Sequence, residues 1–262
     1  MGERFVYVTG GSRGIGLAVV RVLAQSGYSV VAVARSRTQE LDELCATAQG
    51  GVTFIGADLA TRDGQGSVAA SLRGCSGLYG LVNNAGVAAA GLHVMLRQDS
   101  IDRMWAVNVE APLLLCKAAA KSMARAHQGR IINMSSICTY RAFRGLGAYT
   151  ASKAALEGFS KVLAAEVGAW GITVNCVAPG FIETDMNASL PEDTRKKIRS
   201  RTVLTRDVTA VDVAKVVEFL LSPAAEELTG QVIRLDAGAA ALSRSGHRAS
   251  RKRSFRRCAA RL

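Results

Sequence analysis

The sequence predicts an α/β fold, a doubly wound parallel sheet in a single domain, and three observations carry that prediction. Short β-branched runs alternate with longer segments of helical periodicity along the chain. The runs are apolar without interruption, as in FVYVTG and VVAVAR, which is the pattern of strands covered on both faces by crossover helices. No internal repeat or Pro/Ser-rich linker divides the chain before residue 242.

The elements then follow in chain order. Strands fall at 5–9 (FVYVT), 29–34 (SVVAVA), 52–56 (VTFIG), 80–83 (GLVN), 130–134 (RIINM), 172–177 (ITVNCV) and 231–235 (QVIRL), each a short run rich in β-branched or large apolar residues. Between them, helical spacing of apolar residues predicts helices at 15–25, 39–48, 65–73, 107–126, 148–169, 192–199 and 210–221.

With 262 residues, 49% of them hydrophobic and 21% charged, the chain can bury a large core, and disorder is excluded for most of it. No apolar run has the length of a membrane span, and a strand begins close to Met1, so neither a spanning helix nor a secretory or transit segment is expected. The net charge is +12, but residues 243–262 hold eight basic residues and no acidic one, which leaves +4 for residues 1–242. Residues 1–242 are therefore read as the domain and 243–262 as a flexible basic appendage. The cysteines, Cys45, Cys75, Cys116, Cys138, Cys176 and Cys258, show no paired short spacing, so no metal site or disulfide framework is expected and a reducing, cytoplasmic setting fits.

The first strand runs into Thr9-Gly10-Gly11-Ser12-Arg13-Gly14-Ile15-Gly16 and then a helix. Glycines at such a turn let the backbone approach a pyrophosphate, whose charge sits against the helix N-terminus. At the end of the second strand stands Arg35, where an acid would accept bonds from an unmodified ribose 2′-hydroxyl, and Arg13 lies inside the loop. Two guanidiniums can hold a 2′-phosphate, so NADP(H) is expected over NAD(H); the plainer alternative is that Arg35 is only a solvated strand end. Asp58 and Leu59 follow the third strand in position to flank an adenine, and Asn83-Asn84-Ala85-Gly86 follows the fourth, with small residues leaving room for a ribose and amides able to tie strands together.

The segment INMSSICTYRAFRGLGAYTASKAAL places Ser136 just past the fifth strand, with Tyr149 and Lys153 four apart at the start of a long helix. That spacing puts the ammonium and the phenol on one face. A nearby cation is expected to lower the phenol's pKa and let it shuttle a proton to a carbonyl oxygen, which the Ser136 hydroxyl also holds. Asn108, in MWAVNV, is expected to bind a water that relays protons to Lys153.

Taken together, Thr9–Gly16, Asn83–Gly86, Asn108, Ser136, Tyr149, Lys153 and Pro179-Gly180 make the chain resemble the short-chain dehydrogenases/reductases over nearly all of the domain. The resemblance implies a seven-stranded Rossmann-type sheet, a nicotinamide cofactor and a catalytic tetrad of Asn108, Ser136, Tyr149 and Lys153. It implies cofactor contacts from Gly10, Ser12, Arg13, Gly14, Ile15, Gly16, Arg35, Asp58, Leu59, Asn84, Ala85, Gly86, Tyr149 and Lys153. The stretch VAPGFIETDM is most similar to 3-oxoacyl-[acyl-carrier-protein] reductases, which adds nicotinamide contacts from Pro179, Gly180, Ile182 and Thr184, a mobile covering helix near 188–199, and Arg130 as a point of contact with the carrier. Three places depart from that subfamily: VLTRDVTAVDV after the covering helix, Asp236-Ala237-Gly238 where D/N-G-G is usual, and Trp170 at a commonly basic position.

The expected function is NADPH-dependent reduction of a 3-oxoacyl thioester, on acyl carrier protein or a related carrier, as in fatty acid synthesis. A second reading is a reductase or dehydrogenase of a free ketone, sugar, steroid or polyketide alcohol. A third, of another class, is binding of nucleic acid or an anionic surface through the basic tail, against which stands the lack of interleaved aromatic residues. The family resemblance also implies a homodimer or homotetramer built through the helices near 107–126 and 148–169. The ending Ala260-Arg261-Leu262 is weakly similar to a peroxisomal address, and a shifted reading frame or cloning-derived end explains the tail equally well.

Overall fold

The computed structural model describes residues 3–48, 51–183, 202–204 and 206–240. Its strands are β1 (Phe5–Thr9), β2 (Ser29–Ala34), β3 (Val52–Gly56), β4 (Leu78–Asn83), β5 (Gly129–Met134), β6 (Ile172–Pro179) and β7 (Val232–Leu235). They form one parallel sheet in the order β3-β2-β1-β4-β5-β6-β7. The helices are α1 (Gly14–Gln25), α2 (Gln39–Thr47), α3 (Arg62–Gly74), α4 (Gln98–Trp105), α5 (Ala111–Met123), α6 (Gly147–Val167) and α7 (Ala210–Leu221). None of the helices among the described residues is long and apolar enough to cross a membrane.

The strands' unbroken apolar character is explained by two cores. Tyr7, Val31, Val33, Leu81 and Ile131 face one core with α3, α5 and α6, while Val6, Val8, Val30, Ala32, Val82 and Ile132 face the other with α1 and α7. Alternate residues of each strand thus enter opposite layers, and both layers must be apolar. Each fully buried aliphatic side chain contributes about 1.5–3 kcal/mol, so these two layers supply the main driving force for folding.

Three of the helix starts are set by side-chain caps. Thr38 accepts from the Leu41 N–H ahead of α2, Thr61 accepts from the Gly64 N–H ahead of α3, and Thr209 and Asp212 form a reciprocal capping box on α7. Helix α3 begins three residues earlier than the sequence pattern suggests, because Gly64 obscures its start. A Cβ there would lie 2.1 Å from the Asp58 carbonyl oxygen, so close packing against the β3 loop demands glycine.

The single helix expected at 107–126 is instead a π-helical turn over Ala106–Glu110, α5 and a terminal 3-10 turn, and α4 precedes them without a break. Helix α4 escaped the pattern because QDSIDRMW is mostly polar and buries only Met104. The segments expected at 192–199 and 243–262 lie outside the described residues.

After β7 the chain turns at Ala237, a non-glycine residue in the left-handed region with φ 50°. The turn is held because the Asp236 carboxylate accepts from the N–H groups of Gly238 and Ala240, and the Ala237 carbonyl accepts from those of Val203 and Leu204. Ala237→Gly relieves the Cβ strain but adds unfolded-state entropy, so a net gain of about 0.5–1 kcal/mol is expected. A thermal midpoint about 1–3 °C higher would record it, and a lower midpoint would show that the turn carries no such strain.

Candidate active site

In an open parallel sheet, ligands bind beyond the strand C-termini where the strand order reverses. Here that point lies between β1 and β4, and the loops bearing the candidate residues gather around it. The β1 loop is shaped by close approach: Gly10 has φ 67°, and a Cβ on Gly16 would lie 2.0 Å from the Gly10 carbonyl oxygen. The amide of Asn84 donates to the Thr9 and Gly10 carbonyls, and the Thr9 hydroxyl accepts from the Ala85 N–H. Asn84 and Ala85 therefore brace the glycine loop. One layer below, Asn83 donates to Asn133, tying β4 to β5.

These residues fit a dinucleotide. The N-cap of α1 is Arg13, which makes no side-chain cap bond, and the first turn carries no acid, so that helix end can receive a pyrophosphate. Arg13 and Arg35 are both exposed at this end of the sheet, where a 2′-phosphate can reach them. Asp58 is partly engaged: one carboxylate oxygen accepts from the Ala60 N–H and the other lies 3.8 Å from Arg103. Leu59 and Ser12 are buried, and the Ser12 carbonyl accepts from Thr38. Beyond β6, Gly180 packs so near Asp236 that a Cβ would lie 2.9 Å from its Cα, and Ile182 is buried. Thr184 lies outside the described residues.

Ser136, Tyr149 and Lys153 come together at the end of β5 and the start of α6. Ser136 hydrogen-bonds the Tyr149 phenol, and the Lys153 ammonium lies 5.8 Å from the Tyr149 ring centroid. The expectation that Lys153 lowers the phenol's pKa is not met in this geometry. Burial dominates, with Cys138 adding to it and the Ser136 bond opposing it, and the phenol is pushed up to about 12. Lys153 instead donates to the Met134 carbonyl at 2.7 Å, and burial lowers its own pKa to about 8. At neutral pH the phenol thus holds its proton, the state a donor needs.

Asn108 is held in place by its neighbours. Its Nδ2 donates to the Val87 carbonyl and the Ser152 hydroxyl while its Oδ1 accepts from the Val87 N–H, so the side chain brackets the β4 loop against α6. It sits on the π turn, where the wider i→i+5 pattern loosens the backbone ladder. A Cβ on Gly86 would lie 3.4 Å from Lys153 Nζ and 3.5 Å from Asn108 Oδ1, in ordinary contact with both, which places this residue where the two converge.

Arg130, expected to meet a carrier, is buried: it is 7% exposed, donates to the Gly129 carbonyl and stacks over Tyr79. Its position in β5 turns the guanidinium into the molecule. Glu157, which the motif reading passed over, is also buried and accepts hydroxyl bonds from Ser135, Thr139 and Tyr140. The available signal was an acid one further helical step beyond Tyr149 and Lys153 on a largely apolar face.

The family described as "Enoyl-(Acyl carrier protein) reductase" matches residues 10–240. Nodulation protein G of Rhizobium sp. (strain N33) is 37% identical, covering 90% of this chain and 97% of its own. The 3-oxoacyl-[acyl-carrier-protein] reductase FabG of Pseudomonas aeruginosa is 38% identical, covering 88% and 95%. Among solved structures, an NADP-bound protein described as an NAD(P)-dependent gluconate 5-dehydrogenase from Beutenbergia cavernae superposes with a TM-score of 0.87 at 32% identity, covering 92% of this chain and 98% of the other.

Proposed function

We propose that this chain, which belongs to the short-chain dehydrogenase/reductase family and is an NADP(H)-dependent oxidoreductase acting on the C=O/CH–OH pair, reduces the 3-oxo group of an acyl thioester to the 3-hydroxyacyl thioester. The observation that carries the choice of substrate is the 38% identity, over most of both chains, to a relative named for this reaction. The mouth of the site supports an apolar acyl chain: Leu92, Val94 and Met95 are exposed, and their loop is tied by the Gly91 N–H to the Gly145 carbonyl, just before Tyr149. The modest positive charge of residues 1–242 suits an acidic carrier.

When bound, NADPH would supply the hydride that the carbonyl carbon needs. Tyr149 gives its phenolic proton to the carbonyl oxygen as the π electrons move there, and Ser136 donates a hydrogen bond to that oxygen and holds the carbonyl in line. Lys153 would hold the cofactor ribose beside Tyr149, and Asn108 fixes the β4 loop against α6. Arg13 and Arg35 would hold the 2′-phosphate of the cofactor. Residues 1–242 constitute the catalytic domain, and the exposed Leu113 on α5 and Val162 on α6 support a homodimer or homotetramer through those helices.

NADPH oxidation with acetoacetyl thioesters on coenzyme A and on acyl carrier protein tests the substrate. Turnover is expected with both, and none with either would overturn the proposal. The sugar-dehydrogenase likeness keeps a second reading, reduction of a keto-gluconate, which the same assay scores. For cofactor choice, Arg35→Asp is expected to raise the KM for NADPH by about 10- to 100-fold, the loss of a charge-assisted contact plus repulsion, while that for NADH changes by less than about 3-fold. Equal changes in both would remove Arg35 from cofactor selection.

A further inference from the structure

We propose that Glu157 is a positioning residue for the reduction: a strut that holds the Ser136 loop at a set distance from the Tyr149–Lys153 face of α6. The inference rests on the roles given above to Ser136, Tyr149 and Lys153. Glu157 follows Lys153 by four residues and Tyr149 by eight on α6, so all three share one side of the helix. Its carboxylate reaches the segment that leaves β5. Oε1 accepts from the Ser135 hydroxyl at 2.5 Å and from the Thr139 hydroxyl at 2.9 Å, which shares its one proton with the Ser136 carbonyl at 2.9 Å, and Oε2 accepts from the Tyr140 hydroxyl at 3.4 Å. The three donors stand on both sides of Ser136 in the chain.

The sheet alone does not hold this segment. The Ser135 N–H donates to the Val177 carbonyl on β6, but from Ser136 onward the chain departs into a 3-10 turn over Ile137–Thr139. Beyond that point the side-chain bonds of Glu157 tie the turn to α6. Among the described residues no other carboxylate is buried, and a leucine would fill the same volume without a desolvation cost. Charge-assisted bonds to a buried carboxylate are short and directional, and they convert that cost into a fixed geometry. The geometry concerned is the one that matters for proton delivery, where a misplacement of about 1 Å can cost on the order of 100-fold in rate.

The test compares Glu157→Leu, Glu157→Gln and the double variant Ser135→Ala/Thr139→Val in the full chain. The substrate is acetoacetyl-coenzyme A or, if the wild type does not reduce it, the first ketone that it does. Glu157→Leu is expected to lower kcat by about 10- to 100-fold with the Kd for NADPH unchanged, and Glu157→Gln, which keeps a carbonyl acceptor for both hydroxyls, to stay within about 3-fold of wild type. The Ser135→Ala/Thr139→Val variant removes the donors and is expected to lose as much as Glu157→Leu, which keeps the test decisive if the latter does not fold. Wild-type kcat in folded Glu157→Leu or in the double variant, an equal loss in Glu157→Gln, or a matching loss of NADPH affinity would each overturn the strut. Tyr149→Phe, run alongside, separates the two failures. If it retains wild-type kcat the site assignment itself falls, whereas its loss with none in Glu157→Leu overturns the strut alone.

Discussion

Tyr149→Phe is expected to lower kcat for carbonyl reduction on the order of 10³-fold while leaving the Kd for NADPH within about 2-fold. The substitution removes one oxygen from a half-buried ring and keeps the rest of its packing, so the change isolates proton donation. Because burial holds the phenol's pKa up at about 12, the wild-type group is protonated throughout the neutral range, and the reductive reaction does not lose its donor by ionisation there. Steady-state NADPH oxidation together with cofactor fluorescence separates the two parameters. A variant that keeps a tenth or more of the wild-type kcat would show that the proton comes from elsewhere.

Lys153→Met is expected to cut kcat/KM by at least about 100-fold and, in the same protein, to raise the stability of the unliganded fold by about 1–3 kcal/mol. The activity loss follows from removing the ammonium that would hold the cofactor ribose beside Tyr149. The stability gain follows from burial: the ammonium is 3% exposed, and the fall in its pKa from 10.5 to about 8 corresponds to about 3 kcal/mol, less what the bond to the Met134 carbonyl returns. The sign with pH follows from linkage. The folded pKa lies below the unfolded one, so between about pH 8 and 10.5 the folded state binds fewer protons, and wild-type stability rises across that window. Below about pH 8 the full penalty is present. Urea unfolding at pH 7 and pH 9.5 should show that rise in the wild type and its loss in Lys153→Met; a destabilised variant at pH 7 would mean that the ammonium is a net contributor to the fold.

Much of the scaffold was legible because its signals are local. The β1 strand and glycine loop are adjacent in sequence, and both the apolar run and the glycine spacing reflect constraints acting within a dozen residues. The same holds for the four-residue interval between Tyr149 and Lys153, which a helix converts directly into a shared face. Helix α4 was invisible for the complementary reason: Met104 is its only buried residue, so it has almost no apolar stripe to read.

The site's chemistry was less legible where it depends on contacts between distant segments. The sequence offers Asn108 as a water-binding amide, and only the fold shows that Val87 and Ser152 use its side-chain groups across 21 and 44 residues of chain. Arg130 was read as a surface contact, yet strand pairing on both sides of β5 places it inside against Tyr79. Glu157 acquires meaning only when the turn after β5 lies across α6 and brings three hydroxyls to it.

The sequence by itself determined the alternation of elements, the parallel doubly wound sheet, the glycine loop with Arg13 and Arg35 around it, and the set of polar residues that could do carbonyl chemistry. Periodicity and spacing encode these because each is a short-range steric or hydrogen-bonding requirement. Only the tertiary structure decided the protonation of that set and its geometry: a phenol that keeps its proton, an ammonium held at a cost, an asparagine that braces two segments and a buried glutamate that gathers three hydroxyls from the segment after β5. Those properties arise from desolvation and from bonds closed across the fold, and neither exists until the two apolar layers have packed against the sheet.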